Sequence, residues 1–226
     1  NRELNQLRLV AEKANAAKST FLNNMSHDIR TTMNAIIGFT NIALKHNTSP
    51  EVTSCLNKIR SSSDHLLALI NDVLDISRIE SGKIRYTPSP VDIAEVSESV
   101  LTIVYGYLAN RNINFKSEID EPPTPFVLAD PVRIRDVLVN ILGNAVKFTQ
   151  DGGSITYRVT YQMMDDYRHM RAHFEVRDTG IGMSEDFIHH IFDEFSQESQ
   201  AARTKSKGTG LGMALTKKYV ALMGGT

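Results

Sequence analysis

A histidine at position 27 is followed by an aspartate, Asp28, inside a run of apolar residues spaced as in a helix. At 100° per residue, the stripe Met25, Ile29, Met33, Ile36, Ile37, Ala43 and Leu44 centres about 50–60° from Met25, and His27 falls at about 200°, on the far side. His27 is therefore expected at the helix surface, with Thr31 and Asn34 following on the same face. An imidazole beside a carboxylate can lose a proton from one ring nitrogen while the other nitrogen attacks an electrophile. The same residues also suit a plain solvated face. None of His46, His65, His169, His173, His189 and His190 has this combination. His169 and His173 have a helix-pair spacing but fall in strand-like sequence, so no metal-binding His/Cys set is expected.

Three further groups lie downstream. In "NILGNAVKFT", Asn140, Asn144 and Lys147 share one helix face, opposite Val137, Ile141, Leu142, Ala145 and Val146. Carboxamide oxygens one turn apart suit a Mg²⁺ ion already partly satisfied by phosphates and water, and a lysine one turn on can reach phosphate oxygens. The pattern by itself also fits an ordinary amphipathic helix. In "VRDTGIGMS", Asp178 ends a strand, where a buried carboxylate can accept a hydrogen bond from an exocyclic amine such as that of adenine. Gly180 and Gly182 remove side chains where a flat ring must approach the backbone. In "KGTGLGMAL", Gly208, Thr209, Gly210, Leu211 and Gly212 open a helix whose N–H groups and positive end can face an anion. Any helix N-terminus can use a flexible opening, so this motif alone is weak.

These residues need elements to position them. Leu4, Leu7, Ala11, Ala14, Phe21 and Met25 predict a short coiled coil running into the His27 helix. A turn at Asn47, Ser49 and Pro50 leads to a second stripe from Val52 to Ile79, ended by Gly82. Such a helical hairpin has more apolar face than it can bury alone, so a four-helix bundle made by two chains is its natural completion. After Gly82 the pattern predicts a short strand and linker, then a helix capped by Asp92 and running to about Ala109. A strand over "INFKSEI", another over Val127–Ala129, and a helix from Asp130–Pro131 through Phe148 follow. Two alternating strands around the turn "MDDYR", and a last helix from about Gly210 to Met223, complete an α+β chain. The expected domains are 1–82, the hairpin, and 83–226, the sandwich.

The 226 residues, 41% hydrophobic and 23% charged, can bury a real core. A net charge of -1 gives no general electrostatic reason to bind nucleic acid or an anionic membrane. A single cysteine, Cys55, excludes an internal disulfide, fits a reducing compartment and is expected as a small core residue. No run of about 18 apolar residues is present, so no membrane segment is expected here, although a larger protein of which this is a fragment can carry one. A cytoplasmic location is expected.

The order and spacing of all four groups resemble the bacterial sensor histidine kinases over nearly the whole chain. "SHDIR" resembles the H box, "NILGNAVKFT" the N box, "DTGIG" the first glycine box, "IFDEF" with Phe192 and Phe195 the F box, and "GTGLG" the second glycine box. The resemblance implies a homodimeric phosphotransfer hairpin followed by a Bergerat-type ATP-binding domain, the α/β sandwich shared with gyrase, the Hsp90 chaperones and MutL. It implies ATP and Mg²⁺, with Asn140 and Asn144 toward the metal. His27 would be the phosphoacceptor and Asp28 the base, and the phosphoryl group would pass to a response-regulator receiver domain. Thr31 matches a position that helps orient water for dephosphorylating the receiver. Residues 183–207 resemble a mobile ATP lid. The rival readings are an ATPase clamp without histidine phosphorylation and a degenerate kinase serving as a dimeric scaffold.

Two departures stand out. The family domain continues past "MGGT" into further strands, so the sandwich is expected to be incomplete. The family also has proline after the Arg-Thr of the H box, where this chain has Thr32. Proline inside a helix removes a hydrogen bond, clashes with the preceding turn and costs about 3 kcal/mol, so Thr32 should give a straighter, stiffer helix beside His27. Thr32→Pro should lower the melting temperature and speed autophosphorylation without weakening ATP binding. A variant as stable as the parent, or one that labels no faster, rules out a restraining role for Thr32.

Overall fold

A computed structural model describes residues 25–27, 29–46, 49–84, 86–166, 168–198 and 209–226. The expected coiled-coil segment before Met25, Asp28, the lid tip at 199–207 and Gly208 lie outside the described residues. The chain divides into two compact units, one ending at residue 85 and the other beginning at Tyr86.

The first unit contains helix α1, helical at 25–27 and 29–44, and helix α2, Pro50–Glu80. Ser49 caps α2 by accepting the Val52 N–H, and Pro50 occupies its first turn, where a missing N–H costs nothing. At the other end Gly82 takes φ +64, letting Lys83 and Ile84 donate back to the Arg78 carbonyl. On α1 the buried positions are Ser26, Met33 and Thr40, two of them polar. They nevertheless lie close to the centre of the predicted stripe, and His27 is exposed as expected. Arg30 Nη2 donates to Asn71 Oδ1 at 3.1 Å, tying the two helices. Cys55 is exposed, contrary to the expectation of a core position. It lies in the N-terminal half of α2, where Val52 and Ile59 are also 47% and 45% exposed, because a single α1 does not cover the apolar stripe there.

The second unit is an α+β sandwich. Its helices are α3, Ile93–Leu108, α4, Pro131–Phe148, a one-turn α5, Glu185–Ile188, and α6, Gly212–Leu222. Its strands are β1, Ser89–Asp92, β2, Asn114–Ile119, β3, Phe126–Ala129, β4, Ser154–Met163, and β5, Met170–Asp178. Asp92 and Asp130 cap α3 and α4 as expected. The strand order separates elements that are neighbours in sequence. β1 pairs antiparallel with β3 in a small sheet, and β2 runs parallel to β4, which pairs antiparallel with β5. His169 falls one residue before β5 and His173 within it.

Alternation along β4 sends Ile155, Tyr157 and Val159 inward, where they meet Val100 and Val104 of α3 and Leu138, Leu142, Ala145 and Val146 of α4. The outward face of the sheet carries a cross-strand ion-pair row in which Arg158 meets Glu118 at 2.6 Å and Glu175 at 3.4 Å. Among the described residues no helix is long and apolar enough to cross a membrane.

The C-terminal end of α4 is fixed by one side chain from the loop after α3. Arg111 donates through Nη1 to the Val146 carbonyl at 3.1 Å and through Nη2 to the Thr149 carbonyl at 2.7 Å. Its Nε meets Asp151 at 2.8 Å, and the guanidinium holds that carboxyl below its usual pKa. Arg111→Ala should therefore destabilise this unit by about 1.5–3 kcal/mol, the range for hydrogen bonds from a charged group, with Arg111→Lys recovering only part because an ammonium lacks the fork. Urea unfolding checks this, and an unchanged midpoint for Arg111→Ala would contradict it.

Candidate functional site

Helix α4 presents a buried face to the core and leaves Asn140, Asn144 and Lys147 half-buried on its other side. Among the described residues the Asn144 carboxamide makes no hydrogen bond. The Lys147 ammonium lies 4.8 Å from the Phe148 ring centroid, and partial burial lowers its pKa. A phosphate placed beside it would oppose that shift.

The loop after β5 is anchored on the end of α4 and the start of β4. The Ile181 N–H donates to the Phe148 carbonyl at 3.3 Å, Thr179 N–H to the Ser154 carbonyl at 3.1 Å, and Thr179 Oγ1 accepts the Ser154 N–H at 2.9 Å. A Cβ at Gly180 would sit 2.8 Å from the Phe148 carbonyl oxygen and 2.6 Å from Asp178 Oδ1, so this position excludes any side chain. Gly182 has open space but φ +67, so its requirement is conformational. Asp178 is exposed, not buried as expected. β5 is an edge strand among the described strands, paired only with β4, which leaves its end uncovered. One carboxylate oxygen accepts the Gly180 N–H at 2.8 Å, and this contact orients the group.

The second glycine motif enters α6. Gly210 adopts φ +73 and packs so closely that a Cβ would lie 2.7 Å from the Phe195 carbonyl carbon. That left-handed residue keeps the helix from starting until Gly212, two residues later than the sequence predicts. Leu211 is fully buried, so its side chain belongs to the core and only its backbone faces the loop. Its N–H donates to Thr209 Oγ1 at 3.0 Å, and among the described residues no side chain caps the helix, whose positive end suits an anion. Phe192 and Phe195 are 41% and 64% exposed, and Phe195 has φ +62, unusual for a bulky residue. Lys217 lies 5.2 Å over the Phe192 ring, and Lys218 meets Glu194 at 2.5 Å, so the "IFDEF" segment is held against α6.

Helices α4 and α6 meet at Asn140, whose Nδ2 donates to Thr216 Oγ1 at 2.8 Å and lies 3.7 Å from Met213 Sδ. The structure therefore brings Asn140 to Gly212, Asp178 to Gly180, and Phe195 to Gly210, all within the second unit. His27 and Thr31 belong to the helical unit, where Thr31 Oγ1 donates to the His27 carbonyl at 2.9 Å. Thr216 carries no sequence signal of its own, and Met213 and Thr179 lie within the glycine motifs without being singled out by them. Their parts emerge only from the contacts between elements.

The family model of the phosphoacceptor domain of histidine kinases matches residues 17–82, and that of the histidine kinase-, DNA gyrase B- and HSP90-like ATPases matches residues 129–226. The chain carries both domains of the histidine kinase core, the phosphoacceptor domain and the ATPase domain. Among its relatives, the sensor protein GacS of Pseudomonas syringae is 35% identical over 226 residues, all of this chain and 25% of that protein. The virulence sensor protein BvgS of Bordetella pertussis is 38% identical over 227 residues, 100% of this chain and 18% of that protein. The chain thus spans a quarter or less of these relatives. Full-length ShkA, whose crystal structure is a complex with AMPPNP, aligns with TM-score 0.72 and 31% identity, covering 91% of this chain and 41% of that one.

The glycines make different demands. Gly210→Ala combines a positive φ with a backbone clash and should lower the melting temperature most. Gly182→Ala should cost only about 1–2 kcal/mol of left-handed strain. Thermal unfolding of both variants checks the order, and equal losses would show that close approach at Gly210 is unimportant.

Proposed function

We propose that this chain is the catalytic core of an ATP-dependent protein-histidine kinase. The observation that carries the reading is the joint presence of an exposed histidine on a phosphoacceptor-type helix and, in the same chain, an open helix N-terminus, a strand-end aspartate and an amide-lined helix drawn together in one unit. ATP would bind against α4, with Asp178 accepting a hydrogen bond from the adenine amine and the open end of α6 facing phosphate. The phosphates would lie within reach of Lys147.

Among the described residues no cluster of three or more His, Cys, Asp or Glu side chains offers a metal cage. A neutral carboxamide such as Asn144 instead suits Mg²⁺ that takes its remaining ligands from phosphates and water. Bound there, Mg²⁺ would neutralise phosphate charge during transfer. A ring nitrogen of His27 attacks the γ-phosphorus as the bond to the leaving ADP oxygen breaks, giving a phosphoramidate and ADP. The ring proton goes to a carboxylate, the role assigned to Asp28. An aspartate of a receiver domain then takes the phosphoryl group from His27. Thr31, on the same face, would serve a phosphatase activity toward that receiver by orienting water, with its hydroxyl released from the His27 carbonyl that it now bonds.

The reading includes a homodimer. Met25, Ile36 and Phe39 on α1 are 42%, 38% and 73% exposed, and Leu66 on α2 is 41% exposed. An apolar surface of this kind suits burial against a second hairpin.

Incubation with γ-labelled ATP and Mg²⁺ should give acid-labile, base-stable label on His27. His27→Gln should abolish that label while leaving ATP affinity within about twofold, since the residue lies outside the nucleotide-binding unit. Hydrolysis without labelled protein would point to an ATPase clamp, and neither activity to a scaffold. Asp178→Asn exchanges a pure acceptor for a group that can present a donor to the adenine amine, and should weaken calorimetric ATP binding by about 1.5–3 kcal/mol. Unchanged binding would remove Asp178 from the adenine site.

A further inference from the structure

The Asn140 carboxamide lies under the first turn of α6, and its orientation can be decided chemically. A thioether sulfur accepts a hydrogen bond but cannot donate one. The contact at 3.7 Å with Met213 Sδ therefore favours the NH₂ group at that end, and the same group donates to Thr216 Oγ1 at 2.8 Å. Thr216 is 6% exposed, so this hydroxyl is a buried and specific partner. The opposite end of the amide is equally confined. A Cβ on Gly212 would stand 2.3 Å from Asn140 Oδ1 and 2.9 Å from its carboxamide carbon, so any side chain there would push the Asn140 amide out of this position.

From this arrangement we infer that Asn140 is a brace between α4 and α6, with Thr216 as the positioning residue that holds it, and is not turned toward a metal ion. The inference rests on the nucleotide reading above and divides the two asparagines of that helix between different tasks. Asn144 stays available to phosphate-bound metal, and Asn140 registers the open end of α6 against the helix that carries Asn144 and Lys147. Two walls of the nucleotide site are thereby linked through one partly buried hydrogen bond.

The test uses the 226-residue chain and three variants, Thr216→Val, Thr216→Ser and Asn140→Ala, with the Thr216→Val/Asn140→Ala double. ADP binding is measured by calorimetry in EDTA and in Mg²⁺, and amide hydrogen exchange is followed along α6 with β4 as internal control. Thr216→Val and Asn140→Ala should each weaken ADP binding by about tenfold in both conditions, the loss expected when a buried donor or acceptor loses its partner. Both should speed exchange from Leu215 to Tyr219 while β4 stays protected. The double variant should be no worse than either single variant, and Thr216→Ser, which keeps the hydroxyl, should match the parent.

The brace is overturned if Asn140→Ala weakens binding only in Mg²⁺, which would make it a metal ligand. It is equally overturned if Thr216→Ser is as impaired as Thr216→Val, since methyl packing would then be the cause. If the parent chain binds no ADP, the nucleotide reading fails, and the exchange of α6 in the variants still decides whether Thr216 holds Asn140.

Discussion

Helix α4 has to satisfy two environments along one axis. Its buried side closes the core against β4 and α3, with Leu138, Leu142, Ala145 and Val146 showing 5% exposure or less. Its other side must stay polar and reachable. Removing Asn140, Asn144 and Lys147 from that side would leave a good core helix without the polar groups of the proposed site. Disturbing the apolar side would move every polar group by the same rotation. The helix is therefore fixed at both ends, by the Asp130 side chain at its start and by Arg111 on its last carbonyls. The Phe148 carbonyl at its end is also the acceptor that fastens the Asp178 loop.

Glycine serves this arrangement in two physical ways. At Gly180 the backbone of Phe148 leaves no room for a methyl group, and at Gly212 a methyl group would displace the amide of Asn140. At Gly182 and Gly210 the chain takes positive φ, which costs L-residues about 1–2 kcal/mol. Gly210 meets both demands. It lets the chain turn into α6 while lying against the backbone of Phe195, itself held at positive φ. Strain at a bulky residue persists only where its surroundings over-determine it. Here the Glu194–Lys218 ion pair and the Lys217–Phe192 contact supply those surroundings.

The helical unit follows a different logic. Its cap at Ser49 and its stop at Gly82 define the length of α2, yet much of its apolar surface remains uncovered in one chain. Cys55 shares that condition. A hydrophobic stripe specifies which way a helix wants to face, but burial depends on how much opposing surface is available.

Local rules made much of this protein legible in its sequence. Periodicity put His27 on the solvent side of α1, the Asp92 and Asp130 caps set the starts of α3 and α4, and alternation drew β4 and β5. The histidine kinase resemblance rested on motifs that are likewise local. What the sequence left open or misplaced were relations between distant segments: the parallel pairing of β2 with β4 past β3 was open, Asp178 and Cys55 are exposed where burial was expected, and α6 starts later than expected. Asn140 shows the physical reason. Spacing along α4 placed it beside Asn144, but the partner of its amide, Thr216, lies 76 residues on. A hydrogen bond is chosen by distance and geometry in space, and only the packing of α6 against α4 brings that hydroxyl within reach.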